Sequence, residues 1–173
     1  MFAQIKHITM SLSQSYLAEL EHEFASSKRI LERVPFNDPA YKPHEKSMSM
    51  ERLARHVAEL WGWAAVTINQ DQLDFSVNYI PTPEVHNTEE LLALHEKMYQ
   101  QAKAAFSGAS DEEYGKMWTL RNGEHVIFTL PKGVVLRTMV FNHIIHHRGQ
   151  LSVYLRLNDV AVPGLYGPSA DEK

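Results

Sequence analysis

Apolar residues recur along most of this chain at the three- and four-residue spacing of amphipathic helices. The first such segment runs from about Ser13 to Arg33, and Pro35 ends it because proline cannot continue a helix. The second begins near Ser49, a favourable N-cap residue, and runs to about Gln70. The pattern therefore predicts two helices in the first half of the chain.

Two further helices are predicted in the second half. The third begins at Asn87, where Glu90 completes a capping box, and ends near Gly108. The fourth begins after Pro131 and continues to about Leu157. Four amphipathic helices with modest connections are typical of a four-helix bundle.

A different pattern separates the last two helices. Met117–Arg121 and His125–Thr129 are apolar or aromatic runs that flank Asn122 and Gly123, the residue pair most typical of a tight hairpin turn. We expect a two-stranded hairpin packed on the helices. Residues 35–46 and 71–86 are predicted loops, and the tail from Val160 is irregular. The predicted fold is an all-α four-helix bundle with a small β-hairpin before the last helix, in one domain over residues 1–173.

The composition excludes several classes of function. The net charge of −4 provides no basic surface for nucleic acid or anionic membranes. The chain has no cysteine, which excludes disulfides, thiolate ligands and cysteine nucleophiles, so any metal must be held by histidine and carboxylate side chains. Neither a signal-peptide core nor an apolar run of about 18 residues is present, and we expect a cytoplasmic protein.

The histidines provide the chemical signal. At about 100° per residue, His143 and His147 both lie in the middle of the apolar stripe of the fourth helix. His56 lies inside the apolar stripe of the second helix in the same way. Three inward histidines on two helices match a three-histidine metal site with an open fourth position. The alternative is a set of hydrogen-bonded core histidines without a metal, since buried polar groups need partners.

The remaining histidines are less suggestive. His146 lies at the flank of the stripe, and Ile144 follows His143, so the His-Glu-x-x-His signature of zinc proteases is absent. The others lie in polar or loop contexts and are expected to be mostly solvated: His7, His22, His44, His86, His95 and His125.

Several neighbours of the histidines are pocket candidates. Gln150 borders the pair and could support a ligand or contact substrate, or it could only cap a buried carbonyl. Trp63 and Tyr154 flank the site, although aromatic residues at helical spacing are more often core. Glu59 is the nearest helical candidate for proton transfer, but a surface carboxylate is the more common role for such a residue. Arg148 points away from the histidines and is expected to be structural or interfacial.

Helix four also has a weaker apolar strip on its opposite side. Val134, Phe141 and Ile145 form it, with Gly149 and Ser152 beside them. The strip is expected either to form a homodimer interface or to pack under the hairpin or the tail.

Longer motifs resemble a known family. The combination of these segments, in this order and over nearly the whole chain, resembles the DinB-like (damage-inducible) proteins: Lys42-Pro43-His44-x-Lys46-Ser47-Met48-Ser49, Leu53-Ala54-x-His56, His143-x-x-x-His147-Arg148-Gly149-Gln150-Leu151, Tyr154-Leu155-Arg156 and Val162-Pro163-Gly164-Leu165-Tyr166-Gly167-Pro168-Ser169-Ala170-Asp171-Glu172.

The resemblance implies a homodimeric four-helix bundle with a divalent metal ion, nickel or zinc, on His56, His143 and His147. Related groups include S-transferases that use low-molecular-weight thiols such as bacillithiol, mycothiol or glutathione, and a maleylpyruvate isomerase. The expected partner is thus a small-molecule substrate, and the leading hypothesis is a metal-dependent S-transferase acting on small electrophiles. A metal-dependent hydrolase and a non-catalytic, stress-associated metal- or ligand-binding protein are the alternatives.

Overall fold

The computed structural model describes residues 10–77 and 79–172, which fold into a mostly helical protein with a small sheet before the last helix. The α-helices in this part of the chain are α1 Leu12–Leu31, α2 Met50–Glu59, α3 Trp61–Asn69, α4 Thr88–Gly108, α5 Lys132–Val135 and α6 Asn142–Leu157, and a short 3-10 helix spans Asp111–Gly115. The strands are β1 Gln72–Asp74, β2 Met117–Asn122 and β3 His125–Pro131.

Side chains at the helix starts explain where the helices begin. The Ser49 hydroxyl accepts a hydrogen bond from the Arg52 amide, and the Asn87 side chain accepts one from the Glu90 amide, which confirms both predicted N-caps. Ser11 forms a capping box with Gln14 at the start of α1, close to the predicted start at Ser13.

The predicted second helix is two helices. α2 ends at Glu59 and α3 begins at Trp61, with Leu60 between them. The Trp63 amide bonds to the Leu60 carbonyl, three residues back, so the turn tightens locally while Leu60 keeps a helical backbone conformation. α2 packs against α4 and α6, whereas α3 packs against α4 and the segment before α6. Apolar spacing continues through Leu60, and for that reason it did not reveal the break.

The predicted fourth helix is also interrupted. α5 is followed by a π-helical segment, Leu136–Phe141, before α6 begins. A π segment rotates everything after it relative to a continuous α-helix. As a result Phe141, expected on an outward strip with Val134, is fully buried against Trp61, while Val134 remains exposed. The predicted continuous second strip is therefore wrong.

The hairpin is confirmed, but it belongs to a three-stranded sheet. β2 and β3 pair antiparallel around Gly123, whose positive φ of 59° suits glycine. β1, from the predicted loop, pairs parallel with β2, which makes the prediction of a two-stranded ribbon wrong. Three residues are too few to show a strand pattern, and their pairing depends on a partner far along the chain. Trp118 buries one face of the sheet against Leu73 and Val135.

The core lies between the long helices. α4 contacts α1, α2 and α3, and α6 contacts α1 and α2. Arg148 of α6 is buried in this core, where its guanidinium pairs with Glu23 and bonds to Ser27, in agreement with a structural role. Within the described residues, no helix combines the length and apolar character needed to cross a membrane.

Candidate metal centre

Three histidines meet where α2 faces α6. His56 comes from α2, and His143 and His147 come from successive turns of α6. Their donor nitrogens all lie within 4.8 Å of one another, and the Nε2 atoms of His143 and His147 are 2.8 Å apart. The structure therefore brings together the three residues selected from their helical faces.

The local sequence explains the orientation of α6. The four-residue spacing places His143 and His147 on one face, and the buried Ile144 and Leu151 flank that face. The π segment ends just before α6, so it sets which face of α6 turns towards α2. His56 is flanked on α2 by the buried Leu53. The polar cluster thus sits at the edge of the apolar core.

Each histidine ring has its other nitrogen against an oxygen atom. Nδ1 of His56 lies 2.7 Å from Glu59 Oε1, and Nδ1 of His147 lies 2.7 Å from Gln150 Oε1. Nδ1 of His143 lies 3.3 Å from the Met139 carbonyl oxygen. Oxygen partners of this kind fix the ring orientation and the tautomer of metal-ligating histidines.

Glu59 is buried rather than exposed. Its Oε1 atom also accepts a hydrogen bond from Arg52 at 3.0 Å. Burial opposes ionisation of this carboxyl group, but hydrogen bonds from His56 and Thr82 and the charge of Arg52 outweigh burial and lower its pKa. The expectation of a surface carboxylate is wrong, because Glu59 is three residues after His56 and so shares its helix face. That spacing was the signal that could have identified it.

The two histidines of α6 favour the neutral state. Burial lowers the pKa of His147 to about 4, and the neighbouring His56 adds to this effect. Burial and the proximity of His56 also lower the pKa of His143. Metal binding requires neutral imidazole, so both rings are in the state that coordinates metal at neutral pH.

The donor set suits one divalent cation. Metal–nitrogen distances of about 2.0–2.1 Å in a tetrahedral site imply donor separations of roughly 3.3 Å. The 2.8 Å separation of the His143 and His147 nitrogens is slightly shorter, and the 4.8 Å limit of the cluster is longer, so small ring movements would close the site. Three imidazoles suit zinc, nickel, copper or iron.

A cavity of about 460 Å³ opens beside His147. Gln150 and Tyr154, two of the predicted pocket residues, line it, and the Tyr154 hydroxyl donates to the Met48 carbonyl at 3.1 Å. The full lining is Lys46, Ser47, Met48, Leu53, His147, Gln150, Val153 and Tyr154. Trp63, the third predicted pocket residue, lines a different cavity of about 220 Å³, together with Glu59.

Among the other histidines, one expectation is wrong. His95 is 1% exposed, stacks on Phe24, and places Nε2 3.3 Å from the Phe24 carbonyl oxygen. Four were correctly expected at the surface: His22, His44, His86 and His125. His7 lies outside the described residues, and His146 is exposed beside the cluster.

Known proteins resemble this chain in both sequence and fold. The model of the DinB family matches residues 8–173. A Bacillus subtilis (strain 168) protein described as uncharacterized, YrdA, is 26% identical over 157 residues, which cover 91% of this chain and 89% of that protein. The crystal structure of a DinB-like protein from Bacillus subtilis, YjoA, superposes with a TM-score of 0.70 at 19% identity, covering 90% of this chain and 99% of that one. A DinB-like protein from Bacillus cereus ATCC 10987 gives 0.68 at 19% identity, covering 88% and 97%.

Proposed function

Because this chain belongs to the DinB family and clusters three inward histidines, we propose that it binds a divalent metal ion, nickel or zinc, through His56, His143 and His147. The observation that carries the proposal is the oxygen atom beside each Nδ1. For His56 and His143, whose oxygen partners can only accept, this arrangement directs the lone pair of Nε2 towards the centre of the cluster.

The proton positions on two of the three histidines support a metal site. The Met139 carbonyl can only accept, so Nδ1 of neutral His143 must carry the proton and Nε2 is a bare lone pair. The ionised Glu59 carboxylate imposes the same tautomer on His56. Two lone pairs at the centre of a half-buried cluster repel each other unless a cation or a hydrogen-bond donor lies between them.

We propose a metal-dependent enzyme of the S-transferase type, which joins a small thiol to a small electrophile. A divalent ion with one open position would lower the pKa of a thiol or water that binds there. The sulfur's electron pair then forms the new bond to carbon, the bond to the leaving group breaks, and the thiol proton goes to water. The chain has no cysteine, so the thiol comes from outside the chain, which fits a small-molecule thiol.

The residues around the cluster have supporting roles in this proposal. Glu59 and Gln150 orient His56 and His147, and the cavity beside His147 provides space for a substrate. Glu59 already accepts hydrogen bonds from both His56 and Arg52, which leaves it poorly placed to activate water as a hydrolase would require. Because Glu59 is then poorly placed to transfer protons, a non-catalytic metal- or ligand-binding protein is the second candidate.

Assembly completes the proposal. We propose that the helices form a four-helix bundle and that two chains form a homodimer. Apolar side chains exposed before α6 and at its end support a contact surface: Val134 and Leu157. Size-exclusion chromatography with light scattering tests the dimer, and a monomer at micromolar concentration would rule it out.

Metal analysis tests the proposed site. Untagged protein is stripped with a chelator, loaded with nickel or zinc, dialysed and analysed for metal per chain. We expect one ion per chain in the wild type and in His146→Ala, which removes an exposed histidine next to the cluster. His56→Ala, His143→Ala and His147→Ala should each retain far less. Equal retention by all the variants would disprove the site.

An activity assay then separates the candidates. Metal-loaded protein is mixed with a panel of thiols and with chloro-aromatic or epoxide substrates, and conjugates are detected by mass spectrometry. Conjugate formation that is lost in His143→Ala supports the transferase. Metal-dependent ester hydrolysis without conjugation supports the hydrolase, and stoichiometric metal binding without either activity supports the binding protein.

A further inference from the structure

The charge of the residues that line the cavity beside His147 indicates which class of ligand binds there. Resting on the proposed function, we propose that this cavity binds a small anionic thiol, with Lys46 pairing with the anionic group. The cavity, at about 460 Å³, lies within the roughly 300–1,000 Å³ range typical of small-molecule sites. His147 and Lys46 both line it, so one molecule can contact this histidine of the cluster and the lysine.

The wall that carries Lys46 is fixed by hydrogen bonds. The Lys46 amide bonds to His44 Nδ1, and the Ser47 amide bonds to the His44 carbonyl at 2.9 Å. The carbonyl of Met48, the residue after Ser47, accepts a hydrogen bond from the Tyr154 hydroxyl of α6. This wall is therefore tied to the helix that carries His147. The backbone of Lys46 has a defined position at the cavity, while its long side chain can adjust to a ligand.

The charges of the lining favour an anion. Among the eight described residues that line the cavity, Lys46 is the single lysine, arginine or acidic residue. Glu45, its neighbour in the chain, is exposed and is not part of the lining. Three neutral imidazoles would leave the charge of a bound divalent ion uncompensated, which adds to the positive potential of the cavity. An anionic ligand is thus favoured over a cationic one.

The apolar part of the lining would contact the carbon chain of the ligand. Met48 and Val153 line the cavity and, although both are apolar, are 37% and 56% exposed. Leu53 is buried behind them. A short carbon chain between the sulfur and the anionic group would cover this surface and remove it from water.

Binding of charge-matched thiols tests the inference. Cobalt-loaded protein is titrated with 3-mercaptopropionate, 2-mercaptoethanol and cysteamine, which differ mainly in charge, and binding is followed by the cobalt–thiolate absorption. We expect the anionic thiol to bind at least about tenfold more tightly than the cationic one. Lys46→Gln should abolish most of this preference, and Lys46→Glu should reverse it.

Controls separate local recognition from net charge. Lys42→Glu changes the charge by the same amount as Lys46→Glu on an exposed residue of the same segment that does not line the cavity. It should keep the wild-type preference. An unchanged preference in Lys46→Glu, or an equal change in Lys42→Glu, would overturn the role of Lys46 while leaving the metal site intact. Failure of the wild type to take up cobalt would instead overturn the metal proposal, on which this one depends.

Discussion

The Nε2 atoms of His143 and His147 approach to 2.8 Å on successive turns of α6. Two neutral imidazoles can share such a contact only when one nitrogen carries a proton or when a cation binds both. The Met139 carbonyl beside Nδ1 leaves His143 as the acceptor. The tautomer of His147 therefore decides between the two states, and Gln150, which contacts its Nδ1 atom, controls that tautomer.

Replacement of Gln150 tests its control of His147. Gln150→Ala removes the oxygen beside Nδ1 of His147, so the ring loses its fixed orientation and tautomer. We expect metal affinity to fall about ten- to a hundredfold, as for other supporting partners of ligating histidines. Gln150→Glu keeps an oxygen acceptor and should retain affinity. Competition against a chromophoric zinc chelator measures both variants, and equal affinity in Gln150→Ala and wild type would contradict the prediction.

Metal should stabilise the folded protein. The three ligands converge only in the folded state, because His56 lies on α2 and the other two on α6. Free metal at 100 times the dissociation constant then adds about 2.7 kcal/mol to the free energy of unfolding. For a chain of this size we expect Tm to rise by about 5–10 °C. Calorimetry with and without chelator measures the shift, which should disappear in His143→Ala; an equal shift in that variant would indicate binding elsewhere.

The buried ion pair between Arg148 and Glu23 should be essential for stability. Arg148 Nη2 lies 2.6 Å from Glu23 Oε2, and both side chains are buried. Arg148→Met leaves the Glu23 carboxylate buried without its cationic partner, with only the Tyr166 hydroxyl, among the described residues, still donating to it, which costs about 3–5 kcal/mol. Combining it with Glu23→Gln should recover much of that loss. Urea unfolding measures the free energies.

Arg156 provides the control for this ion pair. It also lies on α6, but its salt bridge with Asp171 is exposed, so Arg156→Met should cost less than about 1 kcal/mol. Similar losses in Arg148→Met and Arg156→Met would show that burial does not set the energetic difference between the two pairs.

The sequence alone predicted the metal-site candidates because helix faces are a local property. The four-residue spacing of His143 and His147 determines that they share a face, whatever surrounds them. N-caps such as Ser49 and Asn87 are local too, which is why both helix starts were correct. What spacing does not specify is the segment that a face contacts. The pairing of β1 with β2 and the turn at Leu60 depend on such contacts.

The π segment shows a second limit of predicting the structure from residue spacing. Its six residues continue the apolar spacing of the fourth helix, so nothing in the pattern shows that the helical phase changes there. The change buries Phe141 and leaves Val134 exposed. His95 was missed for another reason. Leu91, His95 and Tyr99 follow one another at four-residue spacing on one face of α4 and are all buried, so a signal was present but the polar context of His95 obscured it.

The burial of His95 predicts a pH dependence of stability. Burial in the folded state lowers the pKa of His95 from 6.5 to about 4. Below about pH 6.5 the unfolded chain binds a proton that the folded protein excludes, so stability falls as the pH decreases. The loss continues down to about pH 4, at about 1.4 kcal/mol per pH unit, and ends when folded His95 also becomes protonated. Above about pH 6.5 this contribution to stability is fully present.

Urea unfolding of metal-free protein at about pH 7.5 and about pH 5 measures this effect, and His95→Phe isolates it from other titrating groups. Phenylalanine keeps the stacking on Phe24 but cannot bind a proton. Relative to the wild type, the variant should be less sensitive to the pH change by about 2 kcal/mol. Parallel losses in the two proteins would show that His95 titrates normally in the folded state, which would mean that α4 opens enough to let water reach it.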